Sequence, residues 1–121
     1  MVYIENTKLS ENFTAFEFKC KDGSREIKID SRLIQKLQKL RNLLKRPIKI
    51  ISGYRTESYN NLINGAKNSY HCKGMAADIS VSGLSNWQLA LYAATIGFTG
   101  IGIYNDYVHV DVRDDYYYWK N

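Results

Sequence analysis

Residues 107–113, Tyr-Val-His-Val-Asp-Val-Arg, place a valine at every second position. In an extended chain successive side chains point to opposite faces, so Val108, Val110 and Val112 share one face and Tyr107, His109, Asp111 and Arg113 share the other. Such a strand belongs to a sheet with one face on an apolar core and the other open to polar chemistry. Gly100-Ile101-Gly102-Ile103-Tyr104 precedes it, and Asn105-Asp106 between them suits a tight primed turn, so the region predicts a β-hairpin. Residues 75–81 sort in the same way: Met75, Ala77, Ile79 and Val81 lie on one face, Ala76, Asp78 and Ser80 on the other.

The remaining elements alternate with these strands. Leu33, Ile34, Leu37, Leu40, Leu43 and Leu44 recur at helical spacing, with Asp30 or Ser31 to cap the helix and Pro47 to end it. Ile48-Lys49-Ile50-Ile51 reads as a buried strand, residues 57–63 as a short helix, and Ser85 caps a third helix that runs to Gly97. Residues 1–30 read as an irregular arm with a weak strand or two, anchored by Phe13, Phe16 and Phe18. The aromatic tail, Asp114 to Trp119, is expected to pack back onto the core. The pattern predicts an α+β fold: a small antiparallel sheet with helices packed on one face, in a single domain spanning 1–121.

Composition removes several classes of function. The 121 residues, 45% hydrophobic and 24% charged, are ordinary for one globular domain. No apolar run approaches the roughly 20 residues of a membrane span, so no membrane insertion is expected. The N-terminal residues show no basic segment followed by an apolar one, so no signal peptide is expected either. The net charge of +5 comes largely from residues 36–49, where the solvated face of one helix accounts for it. No nucleic-acid module is visible, and nucleic acid is not expected as a partner. Two cysteines, Cys20 and Cys72, do not make a disulfide framework, and Cys72 reads as a packing residue.

The chain has only two histidines, His71 and His109, and the carboxylate of Asp78 follows His71 by seven residues. Two imidazoles and a carboxylate, with a fourth position left to water, form the ligand set of a catalytic zinc ion. Small Ala76 leaves room beside Asp78, and Gly74 lets the chain turn His71 back over the strand end. Spacing alone also allows Asp78 to cap a turn or pair with a lysine.

Ser-Gly-Tyr-Arg at 52–55, Asn68-Ser69-x-His71 with Gly74, Ala76, Ala77 and Asp78, Gly100-Ile101-Gly102, and Val108-His109-Val110-Asp111 occur in that order. Together they resemble the M15 peptidases, the zinc D-alanyl-D-alanine carboxypeptidase-like family, and most of all its small peptidoglycan peptidases and phage endolysins. Leu9-Ser10-Glu11-Asn12-Phe13 resembles that branch's N-terminal segment, so the resemblance covers nearly the whole chain. It implies a hedgehog/DD-peptidase-like zinc fold with His71, Asp78 and His109 as the metal ligands and zinc as cofactor. It also implies Arg55 as the group that holds the substrate's carboxylate or carbonyl, unless Arg55 only makes a structural ion pair. Ser69 and Tyr107 are expected at the substrate site, Ser69 by orienting the ligand loop.

For the general base, several branches of the family place a carboxylate three residues before the last histidine, here Asp106. Asp111 is the rival, roughly 6–7 Å along the same strand face as His109. The resemblance implies a monomeric peptidase acting on the peptidoglycan stem peptide, at a terminal D-Ala-D-Ala or inside the stem. A basic chain without an export signal fits a phage lysin released through a holin's lesions, or a prophage product. The alternative is a zinc-containing binding domain without turnover, a use that the related hedgehog signalling domain shows the scaffold can serve.

Overall fold

The computed structural model describes residues 1–3 and 6–121, and positions 4 and 5 of the N-terminal arm lie outside the described residues. The arm holds short strands β1 (Val2–Tyr3), β2 (Lys8–Ser10), β3 (Phe13–Thr14) and β4 (Ile27–Lys28), with a 3-10 turn at Ala15–Phe18. β1 pairs with β4 and β2 with β3, each antiparallel. Phe13 and Phe18 are buried as expected, but Phe16 faces solvent.

Helix α1 (Ser31–Leu44) starts at Asp30, whose carboxylate accepts from the Arg32 amide at 2.8 Å and from the Arg32 guanidinium at 2.7 and 3.0 Å. Its buried stripe is Leu33, Ile34, Leu37 and Leu40; Leu43, expected on that stripe, is exposed. The helix closes at Lys45, in the left-handed region at φ 56°, and Pro47 two residues on bars any continuation. β5 (Lys49–Ser52) and α2 (Glu57–Leu62) follow. A 3-10 turn at Tyr70–Lys73 leads to β6 (Ala76–Ser80). Helix α3 (Asn86–Ile96) opens on a capping box between Ser85 and Gln88 and ends at Gly97, φ 105°.

The strands β7 (Gly100–Ile103), β8 (Val108–Asp111) and β9 (Tyr117–Lys120) complete a five-stranded sheet of order β5-β6-β8-β7-β9. The fold is α+β, and four of the five strands are antiparallel as expected. The fifth is not. The tail turns back after β8 and lands on the far edge of β7, so β9 must run parallel to β7. β5 is also an edge strand, with Ile50 and Ile51 half-buried rather than enclosed. The β7–β8 turn is not primed, because neither Asn105 nor Asp106 has a positive φ; Tyr104 and Tyr107 close it with one backbone bond of 3.0 Å.

Ala77, Ile79, Ile101, Val108 and Val110 point from the sheet into a core shared with Leu33, Leu37, Leu40, Leu89 and Ala93. Helix α3 lies on β7 and β8, and α1 packs against α3. The other face of β6 and β8 carries Asp78, His109 and Asp111.

The Asp30 cap gives a direct test of this frame. Replacing Asp30 by Ala should cost about 1 kcal/mol at neutral pH. Hydrogen bonds from Arg32 hold the Asp30 carboxyl below its ordinary 3.8, so its stabilising contribution is complete above that value and is lost as pH falls through the folded-state pKa. Urea melts of wild type and Asp30→Ala should therefore differ at neutral pH and converge in strong acid.

Candidate metal centre

The β6–β8 ladder sets Asp78 directly opposite His109. His71 arrives from the Tyr70–Lys73 turn, which Ser69 caps by accepting from the His71 amide at 3.2 Å. Gly74, at φ 72°, lets the chain enter β6 against the arm; a Cβ there would sit 2.4 Å from the Lys28 carbonyl oxygen. His71, Asp78 and His109 are all buried, and their ligand atoms lie within 4.8 Å of one another. Asp78 Oδ1 stands 3.2 Å from both His71 Nε2 and His109 Nδ1.

The opposite nitrogen of each ring settles the tautomers. His71 Nδ1 lies 2.8 Å from the Gly53 carbonyl oxygen, which can only accept, so Nδ1 carries the hydrogen and Nε2 a lone pair. His109 Nε2 lies 2.7 Å from Asp111 Oδ2, which leaves the Nδ1 lone pair turned towards Asp78. With both rings neutral, two lone pairs and a carboxylate oxygen converge with no hydrogen between them, an arrangement that calls for a cation. Ligands at the bond lengths of tetrahedral zinc stand about 3.3 Å apart, close to the 3.2 Å from Asp78 Oδ1 to each imidazole, and all three donor atoms lie within 4.8 Å of one another. The residues fit the metal.

Without an ion, the two rings face the Asp78 carboxylate directly. Burial pushes the Asp78 carboxyl up, yet hydrogen bonds from His109 and His71 outweigh it and hold Asp78 well below the usual carboxylate range. Burial pushes His109 down, but its bonds to Asp111 and Asp78 raise it above an ordinary imidazole. Burial likewise raises Asp111, while the bonds from Arg113 and His109 bring it down to about 2.

Arg55 donates to Asp78 Oδ2, Ser52 Oγ and Asn60 Oδ1, each at 3.2 Å. Buried Asn60 passes the contact on by donating to the Ala66 carbonyl at 2.9 Å. A cleft of about 590 Å³ opens over the centre, lined by Arg55, Ser69, Tyr107, Arg113, Trp119 and the 63–68 loop. Among the described residues, Asp78 is the only acidic group in its lining. Tyr104 and Tyr107 stack with centroids 4.6 Å apart, and the Trp119 indole, 5.2 Å from the His109 ring, donates to Tyr104 Oη at 3.0 Å. Trp119 can lie there because residue 102 is glycine; a Cβ would come within 2.3 Å of the indole.

The two candidate bases sit in different settings. Asp111 is fully buried, with both oxygens bound by Arg113 and one also by His109. Asp106 is exposed on the β7–β8 loop beside Tyr107, outside the lining of the cleft. Cys72 is half-buried and is not one of the converging donors. No role for the Gly53 carbonyl, Asn60, Arg113 or Trp119 was legible from the sequence. Only Arg113 carried a signal, since it continues the polar row of His109 and Asp111.

The family model for Peptidase M15 matches residues 11–111. The chain belongs to the M15 peptidase family. It is 35% identical over 92 residues to the peptidoglycan L,D-endopeptidase MepK of Escherichia coli K12, covering 69% of this chain and 50% of that protein. It is 33% identical over 94 residues to the probable MepK of Haemophilus influenzae, with the same coverage. It is 36% identical over 81 residues to the zinc D-Ala-D-Ala carboxypeptidase of Streptomyces albus G, covering 62% of this chain and 32% of that protein. This M15 chain thus spans half the length or less of these relatives. Its His71–Asp78–His109 donor set is consistent with zinc, the metal in the name of the Streptomyces relative. No helix among the described residues is long and apolar enough to cross a membrane.

Metal analysis after exhaustive dialysis separates the three donors from their neighbour. Wild type and Cys72→Ala should retain close to one zinc per chain, whereas His71→Ala should retain almost none. Zinc lost from Cys72→Ala would place sulfur in the centre.

Proposed function

We propose that this peptidase is zinc-dependent and hydrolyses an amide bond in the peptidoglycan stem peptide, acting on the bacterial cell wall. The observation that carries this reading is the convergence of two imidazole lone pairs and a carboxylate at the floor of an open cleft. Zinc held by His71, Asp78 and His109 would supply Lewis acidity, activating water and polarising the scissile carbonyl.

The chain's own groups do the rest. Three of the five N–H groups of Arg55 are committed to protein partners, which leaves two for a carboxylate or carbonyl of the peptide. Its charge beside the reacting carbonyl would steady the negative charge that develops on oxygen. Ser69, under the His71 turn, and Tyr107 both line the cleft and would border the peptide. Asp106 is our choice for the residue that takes the proton from water and returns it to the leaving amine. Asp111 has no free oxygen for that work, while Asp106 is an exposed carboxylate, hydrogen-bonded to none of the described residues, on the loop that also carries Tyr107. The MepK relatives, named as peptidoglycan endopeptidases, and the Streptomyces carboxypeptidase support the substrate class.

Digestion of purified muropeptides, read by mass, tests the proposal and names the bond. Wild type with zinc should release a defined stem-peptide product, and chelation should abolish it. Asp106→Ala should keep its zinc and lose turnover by about 10²–10⁴-fold. Zinc uptake without cleavage of any wall type would make the chain a binding domain. Full activity in Asp106→Ala would remove that residue from the mechanism.

A further inference from the structure

Arg113 has no part in the chemistry above, yet its guanidinium and backbone amide together make four hydrogen bonds to one carboxylate, Asp111. Its Nε donates to Asp111 Oδ1 at 2.9 Å and its Nη2 to Asp111 Oδ2 at 2.6 Å, a forked pair. Its backbone amide adds a further bond to Oδ1 at 3.1 Å. The same Oδ2 accepts from His109 Nε2 at 2.7 Å. Gly100 provides the space for this carboxylate, since a Cβ there would meet it at 2.0 Å.

Three aromatic rings enclose the guanidinium. Its central carbon lies 4.4 Å from the centroid of Tyr70, 5.4 Å from Tyr117 and 5.3 Å from Trp119. Tyr70 immediately precedes the ligand His71, while Tyr117 and Trp119 belong to β9, beyond the segment that the family model matches. Arg113 thus ties together the turn that carries one ligand, the strand that carries another, and the tail.

We propose that Arg113 is a positioning residue of the metal centre: caged by Tyr70, Tyr117 and Trp119, it grips Asp111 and so aims His109 at the ion. A carboxylate with a free oxygen could rotate, and the imidazole it holds would then lose its fixed orientation. The fork removes that freedom. Lysine, a point charge, cannot reproduce a two-bond grip. The inference rests on the zinc reading above, but its test needs no peptidase substrate.

Zinc affinity is measured by competition with a chromophoric chelator, and the visible spectrum of the Co²⁺ form reports the ligand field. Arg113→Met should weaken zinc binding by about 10-fold or more, and Asp111→Asn by about 10–100-fold. If Arg113 works through Asp111, the double variant binds no more weakly than Asp111→Asn alone. Arg113→Lys keeps charge and bulk and guards against loss of folding. It should melt, metal-free, close to wild type and still bind zinc more weakly, with an altered Co²⁺ spectrum. Losses that multiply in the double variant, or wild-type zinc affinity in both folded Arg113 variants, would overturn the inference while leaving the zinc site in place. A wild type that takes up no zinc would overturn the proposed function and this inference with it.

Discussion

The antiparallel register of β6 and β8 carries the rest of the structure. It places Asp78 opposite His109 on the polar face and, by the same pairing, Ala77 opposite Val110 and Ile79 opposite Val108 on the other face. Because side chains alternate with period two, a slip of one residue would send the Asp78 carboxylate into the core and bring Ala77 to the site. Packing of Val108, Val110, Ala77 and Ile79 against the helices forbids that slip. Apolar packing on one face thus fixes the geometry of the polar centre on the other.

The charges of the centre come in matched pairs. Asp78 faces Arg55 and Asp111 faces Arg113, so neither buried carboxylate stands alone. Each imidazole is braced from behind, one by the Gly53 carbonyl and the other by Asp111, and each turns a lone pair to the same point. The donors are therefore set before an ion arrives, which limits the reorganisation that binding requires.

The sequence was most legible where a period or a rare residue carried the information. Valine alternation at 108–112 sorted His109 and Asp111 onto the polar face, the scarcity of histidine singled out His71, and cap residues placed α1 and α3 within a residue or two. Contacts that depend on chain return were not legible. Nothing local in residues 116–120 says that the tail crosses to β7 and runs parallel to it, and the role of Gly102 appears only once Trp119 lies over it. The commitment of Asp111 to Arg113 was hidden for a different reason: strand spacing gives a distance along the chain, not which partner fills a carboxylate's oxygens. Asn105-Asp106 misled because composition suited a primed turn, whereas the Tyr104–Tyr107 stack and backbone bond close the loop at negative φ.

If the ion sits among His71, Asp78 and His109, it takes no sulfur. X-ray absorption at the zinc edge, on protein loaded with one equivalent, reads this directly. The expected shell holds nitrogen and oxygen only, at about 2.0–2.1 Å, with the outer scattering of two imidazoles. A sulfur shell near 2.3 Å, or a spectrum with no imidazole scattering, would contradict that placement.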